Sequence, residues 1–210
     1  MGLGLPTAGS GDFITFCKYN AKAGRWYSKP EGGGDEYEVQ QMTAVFDMDN
    51  IKTGQMKFMA GAAPEYIFDS GVGTCDAQVP EGQTGFKRGF QVLLYAEQSW
   101  QGVREFSATA NTVNEVMNEL YDAWESAPER QQGKLPVVTC TGVSPVESKH
   151  GTNYQPTLEI VGWTDRPAAL SGDAPAPAPQ AAPEAPPPAQ EQVPPPAPVA
   201  QAPAAGGSMF

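Results

Sequence analysis

The sequence predicts a mainly β domain with one covering helix, followed by a long extended tail that takes no part in the core. Three observations carry this. Short apolar or alternating runs recur between Gly-, Asn- and Pro-rich breaks across residues 13–163. One segment only, residues 113–124, repeats with helical period. In the last 40 residues, 24 are Pro or Ala and none is Lys or Arg. Such a segment cannot bury enough apolar surface to offset the entropy of ordering it.

The elements follow in order. Residues 1–11 are Gly-rich and expected to be loose. Residues 13–19 and 25–28 flank Asn20-Ala21-Lys22-Ala23-Gly24, a turn whose glycine can take positive φ, so a hairpin is expected. Residues 41–48 alternate, with Ala44, Phe46 and Met48 on one side, and residues 55–59 form the next strand. A Gly-rich stretch over 60–85 has room for a short strand at 66–68. Residues 90–96 and 103–109 read as a second hairpin. The helix places Val113, Val116, Met117, Leu120, Tyr121 and Trp124 on one stripe, with Asn111 or the Thr112-x-x-Glu115 box as its cap and Pro128 at its stop. Residues 135–143 and 157–163 are the last two strands, joined by a polar loop over 144–156.

The core order is three strands, a helix and two strands, behind an extra N-terminal hairpin. That is the order of an OB-fold, a five-stranded barrel with its helix between strands 3 and 4. The expected domains are 12–167 for the barrel and 168–210 for a disordered Pro/Ala-rich tail. Another small α+β sheet with one covering helix is the alternative.

Composition excludes several classes. There are 13 Lys and Arg against 24 Asp and Glu, for a net charge of −11. General polyanion affinity is therefore not expected. The longest clean apolar run, residues 92–96, is too short to cross a bilayer, and no secretory signal is visible. Cys17, Cys75 and Cys140 are odd in number and lack Cys-x-x-Cys spacing, so they read as reduced, mostly buried thiols in a cytoplasm. No catalytic, metal or cofactor site is expected. Asp47-x-Asp49 and Glu147-x-Lys149 are short acid motifs of the kind that solvated turns carry. His150 has no nucleophile signature beside it, and the glycines at 32–34 and 71–73 are not followed by a helix.

One stretch breaks the acidic trend. Residues 13–30 hold Lys18, Lys22, Arg25 and Lys29 with no acid, interleaved with Tyr19, Trp26 and Tyr27. Cations that neutralise phosphates beside rings that stack on splayed bases bind single-stranded nucleic acid. The alternative is an ordinary hairpin with its rings in the core and its lysines in water. Two further clusters, Lys87-Arg88 and Lys149 near Tyr154, extend the first into a track if the fold lays them along one groove.

Several segments resemble a family of bacteriophage and prophage single-stranded DNA-binding proteins. They are Gly102-Val-Arg-Glu-Phe-Ser-Ala-Thr and the helix after it, Gly133-Lys-Leu-Pro-Val-Val, residues 151–163, and Asp47-Met-Asp-Asn-Ile-Lys-Thr-Gly. The resemblance covers roughly residues 12–167. It implies an OB-fold that coats and protects single-stranded DNA during phage replication or recombination, without catalysis, in the cytoplasm of a bacterial host cell. No binding position carries over from it. Phage and bacterial single-strand binders commonly end in a disordered tail with an acidic tip and a final aromatic. This chain ends in Phe210 after Ser208-Met209, without the acidic run. Met209 and Phe210 are thus the expected contact for a replication or recombination protein. Homo-oligomerisation is left open. The alternative function is a phage structural or adaptor protein that works through its tail.

Overall fold

The computed structural model describes residues 15–30, 34–60, 62–149 and 151–171. Of the expected tail, residues 172–210, with Met209 and Phe210, lie outside the described residues, as do residues 12–14 and His150, whereas Ala168–Leu170 form a 3-10 turn with Leu170 buried, so the ordered chain runs past the expected boundary at 167.

The fold is mainly β. A hairpin of β1 (Phe16–Asn20) and β2 (Arg25–Ser28) leads to β3 (Tyr37–Val39). β4 (Thr43–Phe46) runs through a short 3-10 turn into β5 (Lys52–Lys57), and β6 (Glu65–Phe68) folds back on it. β7 (Lys87–Ala96) and β8 (Gly102–Ala108) form the central hairpin. Then come α1 (Asn111–Glu125), a single turn α2 (Pro128–Gln131), and a long hairpin of β9 (Leu135–Ser148) and β10 (Gly151–Thr164).

Ten strands share one sheet, in the order β10-β9-β4-β7-β8-β1-β2-β3, with β5 on β7 and β6 on β5. The sequence predicts five strands and a hairpin, so the sheet is larger than expected. All pairings are antiparallel except β1 with β8. The two ends of the path approach each other. The β1–β2 turn meets β10 where the Tyr154 amide donates to the Ala21 carbonyl at 2.7 Å and the Tyr19 hydroxyl donates to the Tyr154 carbonyl at 3.0 Å. Gly24 makes this approach possible. Its φ is +66°, and a Cβ there would sit 3.1 Å from the Tyr154 side chain.

The core is the face carrying Phe46, Phe90, Val92, Leu94, Phe106, Cys17 and Trp26. α1 covers it with the stripe its period predicts: Val113, Val116, Met117, Leu120 and Trp124 are buried. Its cap differs from expectation. Ala110 holds the N-cap position, with no side-chain cap bond from Asn111 or Thr112.

Residues 144–156, expected as a loop, are mostly strand. Pro145 and Pro156 made the segment look interrupted. In the hairpin Pro145 faces Tyr154, whose amide points away from β9 to Ala21. That pair is a non-hydrogen-bonded one, so the missing proline N–H costs the ladder nothing. Pro156 faces Val143 two residues along, with the same parity.

β6 packs closely over β5 at Gly54, where a Cβ would stand 2.2 Å from the Ile67 carbonyl oxygen and 2.8 Å from the Phe68 Cα. Gly54→Val should therefore cost about 1–3 kcal/mol, as an overpacked core position does. Urea unfolding checks this, and an unchanged midpoint would refute the close packing.

Asp47 and Asp49, read from the sequence as solvated turn acids, are instead engaged by an arginine, and Asp47 is buried. Arg166 donates to Asp47 Oδ2 at 2.8 Å and Oδ1 at 2.7 Å, and to Asp49 at 3.0 Å. The pair ties the chain after β10 to the β4–β5 corner. Of the cysteines, Cys17 is buried and Cys140 half-buried. Cys75, expected inside, is exposed.

Candidate nucleic-acid interface

The strand registers place each predicted binding residue. Alternation puts Trp26 and Tyr19 on the core face of the hairpin, because both lie level with Cys17-side neighbours that pack on Phe106. Trp26 is 4% exposed, with its ring 5.0 Å from Phe106 and 5.1 Å from Tyr19. It cannot stack on a base, and the expectation that it does is corrected. Its indole sits in core because it faces Val39 of β3, a strand whose three residues between a Gly-rich acidic loop and Gln40-Gln41 did not announce it. Tyr19 is half-buried, and burial pushes its hydroxyl up to about 12, so it stays a neutral donor to Tyr154.

The outward face of the hairpin carries Phe16, Lys18 and Tyr27. Lys18 Nζ lies 5.8 Å from the Phe16 ring centroid and 5.9 Å from that of Tyr27. Two cations there are already paired. Lys18 meets Glu36 at 2.5 Å and Arg25 meets Glu38 at 2.7 Å. Acids on and beside β3 thus cancel half of the +4 that the sequence assigned to this segment. Lys29 is half-buried just past β2.

Arg88 departs further from expectation. It forms two hydrogen bonds to Asp69, whose side chain is fully buried, and also donates to Cys75 Sγ at 3.2 Å. It fastens the loop after β6 to the sheet and is not offered to phosphate.

What remains converges on one rim. β7 begins at Lys87, which faces Met56 of β5, so Lys57 and the β5–β6 tip stand at the same end. β8 ends there too, since Phe90 faces Ala108. β1 runs parallel to β8 with Cys17 level with Phe106. β1 therefore runs toward the start of β7, and the β1–β2 turn with Lys22 follows at that end. Lys22 Nζ donates to the Thr152 carbonyl at 3.5 Å, and it lies 3.9 Å from a Cβ built on Gly151. That brings the exposed Lys149 at the β9–β10 tip to the same place. Tyr154 is half-buried against Gly24 and serves the closure through its backbone.

Sequence reasoning missed the rings that share this end. Phe58 is 45% exposed and Met59 48% exposed at the tip of β5–β6. Lys57 Nζ is paired with Glu65 at 2.8 Å and lies 5.5 Å from the Phe86 ring, so it is not offered to phosphate. Phe58 meets Tyr66 edge-on at 6.2 Å, and Tyr66 stacks on Phe68 at 5.4 Å and 12°, with Lys52 5.1 Å from the Phe68 ring. The Tyr66 hydroxyl donates to Glu105 at 2.6 Å and lies 3.1 Å from Ser107 Oγ, on the outward face of β8. Burial and the Glu105 bond push its hydroxyl up to about 12. β6 therefore curls over the outward face of β7 and β8 and holds a row of rings along it. The clue in the sequence was Tyr66-Ile67-Phe68 alternating between Phe58 and Phe86, in a stretch dominated by Gly, Ala and Pro.

No cluster of metal-ligating side chains forms among the described residues. No helix there is long and apolar enough to cross a membrane. Comparison of this chain with protein-family models, with curated proteins and with solved structures finds no match.

Proposed function

We propose that this protein binds single-stranded DNA without catalysis, on an expanded OB-type barrel. The observation that carries the reading is the placement of Lys22, Lys87 and Lys149 with the exposed Phe58 at one rim, beside the ring row of β6. Cations spaced for phosphates next to accessible rings are what an unpaired strand requires.

The topology supports it. β4 with β5, β7 and β8 make an antiparallel meander, α1 follows, and β9 returns beside β4 with β10 at its edge. Taken as strands 1 to 5, these have the order of an OB barrel, whose binding face is strands 2 and 3 flanked by the 1–2 and 4–5 connections. Here those are the outward side of β7 and β8, residues 58–86, and the Lys149 tip. β1 takes the place beside β8, parallel to it, where the last strand would close the barrel. The anionic total is not a bar. α1, with four acids and no base, covers the core face of the sheet and so keeps that charge off the outward face of β7 and β8, while Glu65 and Glu147 stand at the rim.

Fluorescence anisotropy with labelled oligo-dT at two salt concentrations tests the reading. Micromolar or tighter binding that weakens with salt is expected. Failure to bind in low salt would refute it. Phe58→Ala should weaken binding by about 1–3 kcal/mol, the worth of one stacked base, while leaving the unfolding midpoint unchanged. Trp26 is sealed from the strand, so quenching of its emission is not the readout.

A further inference from the structure

The outward face of β7 and β8 carries one acid among its rings. Glu105 is half-buried midway along β8, level with Leu93 of β7 on one side and with Phe16 of β1 on the other. Its Oε1 accepts from the Tyr66 hydroxyl at 2.6 Å and from Ser107 Oγ at 3.1 Å. Those two bonds fix the carboxylate against the ring row, because the Tyr66 ring itself stacks on Phe68. Among the described residues, Oε2 accepts no hydrogen bond and no Lys or Arg pairs with the group. One oxygen is thus held by protein, and the other is a fixed acceptor on a face already lined with rings.

We propose that Glu105 reads one base of the bound strand and favours a base with an amine on its edge over thymine, cytosine being the pyrimidine that has one. This rests on the single-strand reading above and adds a base preference to it. Stacking alone does not separate the two pyrimidines, since every base has a π face. Their edges do. Cytosine carries the N4 amine where thymine carries the O4 carbonyl. A carboxylate oxygen has lone pairs and no proton, so it accepts from the amine and repels the carbonyl. A base lying on the ring row brings its edge toward the group that holds the Tyr66 hydroxyl. The carboxylate also opposes every phosphate, so its general effect is to weaken binding. Only the difference between bases reports what it reads.

The test uses the full chain with labelled oligo-dC and oligo-dT of equal length in the same salt, at mildly alkaline pH where cytosine stays unprotonated. Glu105→Gln keeps an acceptor for Tyr66 and Ser107 and puts an amide N–H in place of the free oxygen, which suits thymine O4. Both oligonucleotides gain alike from the lost charge, so the readout is the ratio of their affinities. That ratio should shift toward oligo-dT by at least about fivefold, the scale of one base-edge contact, with the unfolding midpoint near wild type. A second measurement needs no variant. An oligonucleotide of the cytosine analogue that has hydrogen in place of the amine should bind the wild-type protein at least about fivefold more weakly than oligo-dC. An unchanged ratio in Glu105→Gln, or equal binding of oligo-dC and its amine-free analogue, overturns the base preference and leaves the rim-bound strand standing. Binding of neither oligo-dC nor oligo-dT in low salt overturns the single-strand reading itself, and this preference with it.

Discussion

Changing Lys22, Lys87 and Lys149 together to Gln should lower oligo-dT affinity about a hundredfold near 0.1 M salt. The size follows from counterion release. Each phosphate neutralised on a single strand contributes about −0.7 to the slope of log K against log salt, and near 0.1 M salt each such contact is worth about fivefold. Three contacts give about two orders of magnitude, and the slope itself should become shallower by about 2. The three side chains come from the β1–β2 turn, the start of β7 and the β9–β10 tip, so no single local distortion mimics the loss. Arg130→Gln with Lys134→Gln is the control. Lys134 directly precedes β9, whose far end leads to Lys149, and Arg130 sits over the Trp124 ring with its centre 4.5 Å away. That control should leave the slope unchanged. A triple variant with the wild-type slope would show that the rim does not carry the strand.

The three basic segments were visible in the sequence, yet which of their residues face the rim was not. The β alternation was legible wherever one face is buried and the other wet. The hairpins around residues 20–25 and 96–102 and the stripe of α1 were read for that reason. Alternation alone leaves open which side is inside. In residues 25–27 both a tryptophan and a tyrosine qualify for the core, and only the pairing of Trp26 with Val39 decides it. β3 is three residues long, below the length at which period can be measured, and it brought Glu38 to Arg25. Ion pairs between residues 13 and 19 positions apart leave no local pattern, and these two, with Glu38 and Asp69, removed Arg25 and Arg88 from the binding set. The ring row on β6 was hidden differently. Its strand is flanked by Gly-, Ala- and Pro-rich connections that signal irregular chain, and its register is set by the long-range hydrogen bonds of Tyr66 to β8.

Arg88→Ala should cost about 1–3 kcal/mol of stability, because it removes the cation from the buried Asp69 carboxylate, which keeps its Thr53 and Ala77 bonds, and because the guanidinium itself is partly exposed to solvent. Asp69 is fully buried at the side chain, and Arg88 supplies two of its bonds. Thr53 Oγ1 supplies one at 2.5 Å and the Ala77 amide another at 2.9 Å. The guanidinium first, then the Thr53 hydroxyl and the Ala77 amide, hold the carboxyl well below the usual aspartate range against the opposing effect of burial. A carboxyl depressed in the folded state contributes stability that is complete above its unfolded pKa, near 4, and is lost as pH falls through the folded value. Wild-type stability should thus decline on acidification from about pH 5 downward. In Arg88→Ala the depression is smaller, so the difference between variant and wild type should shrink as the pH is lowered to where Asp69 protonates in both. Urea midpoints at neutral and acid pH measure this as a difference of differences, which removes the contribution of the other carboxylates. The same variant separates scaffold from binding surface. With Arg88 engaged by Asp69, the salt slope for oligo-dT should be unchanged under conditions where the variant is folded. A shallower slope would return Arg88 to the phosphate-binding set, and a stability loss below about 1 kcal/mol, the range of exposed pairs, would mean that the loop after β6 is not fastened by this bond.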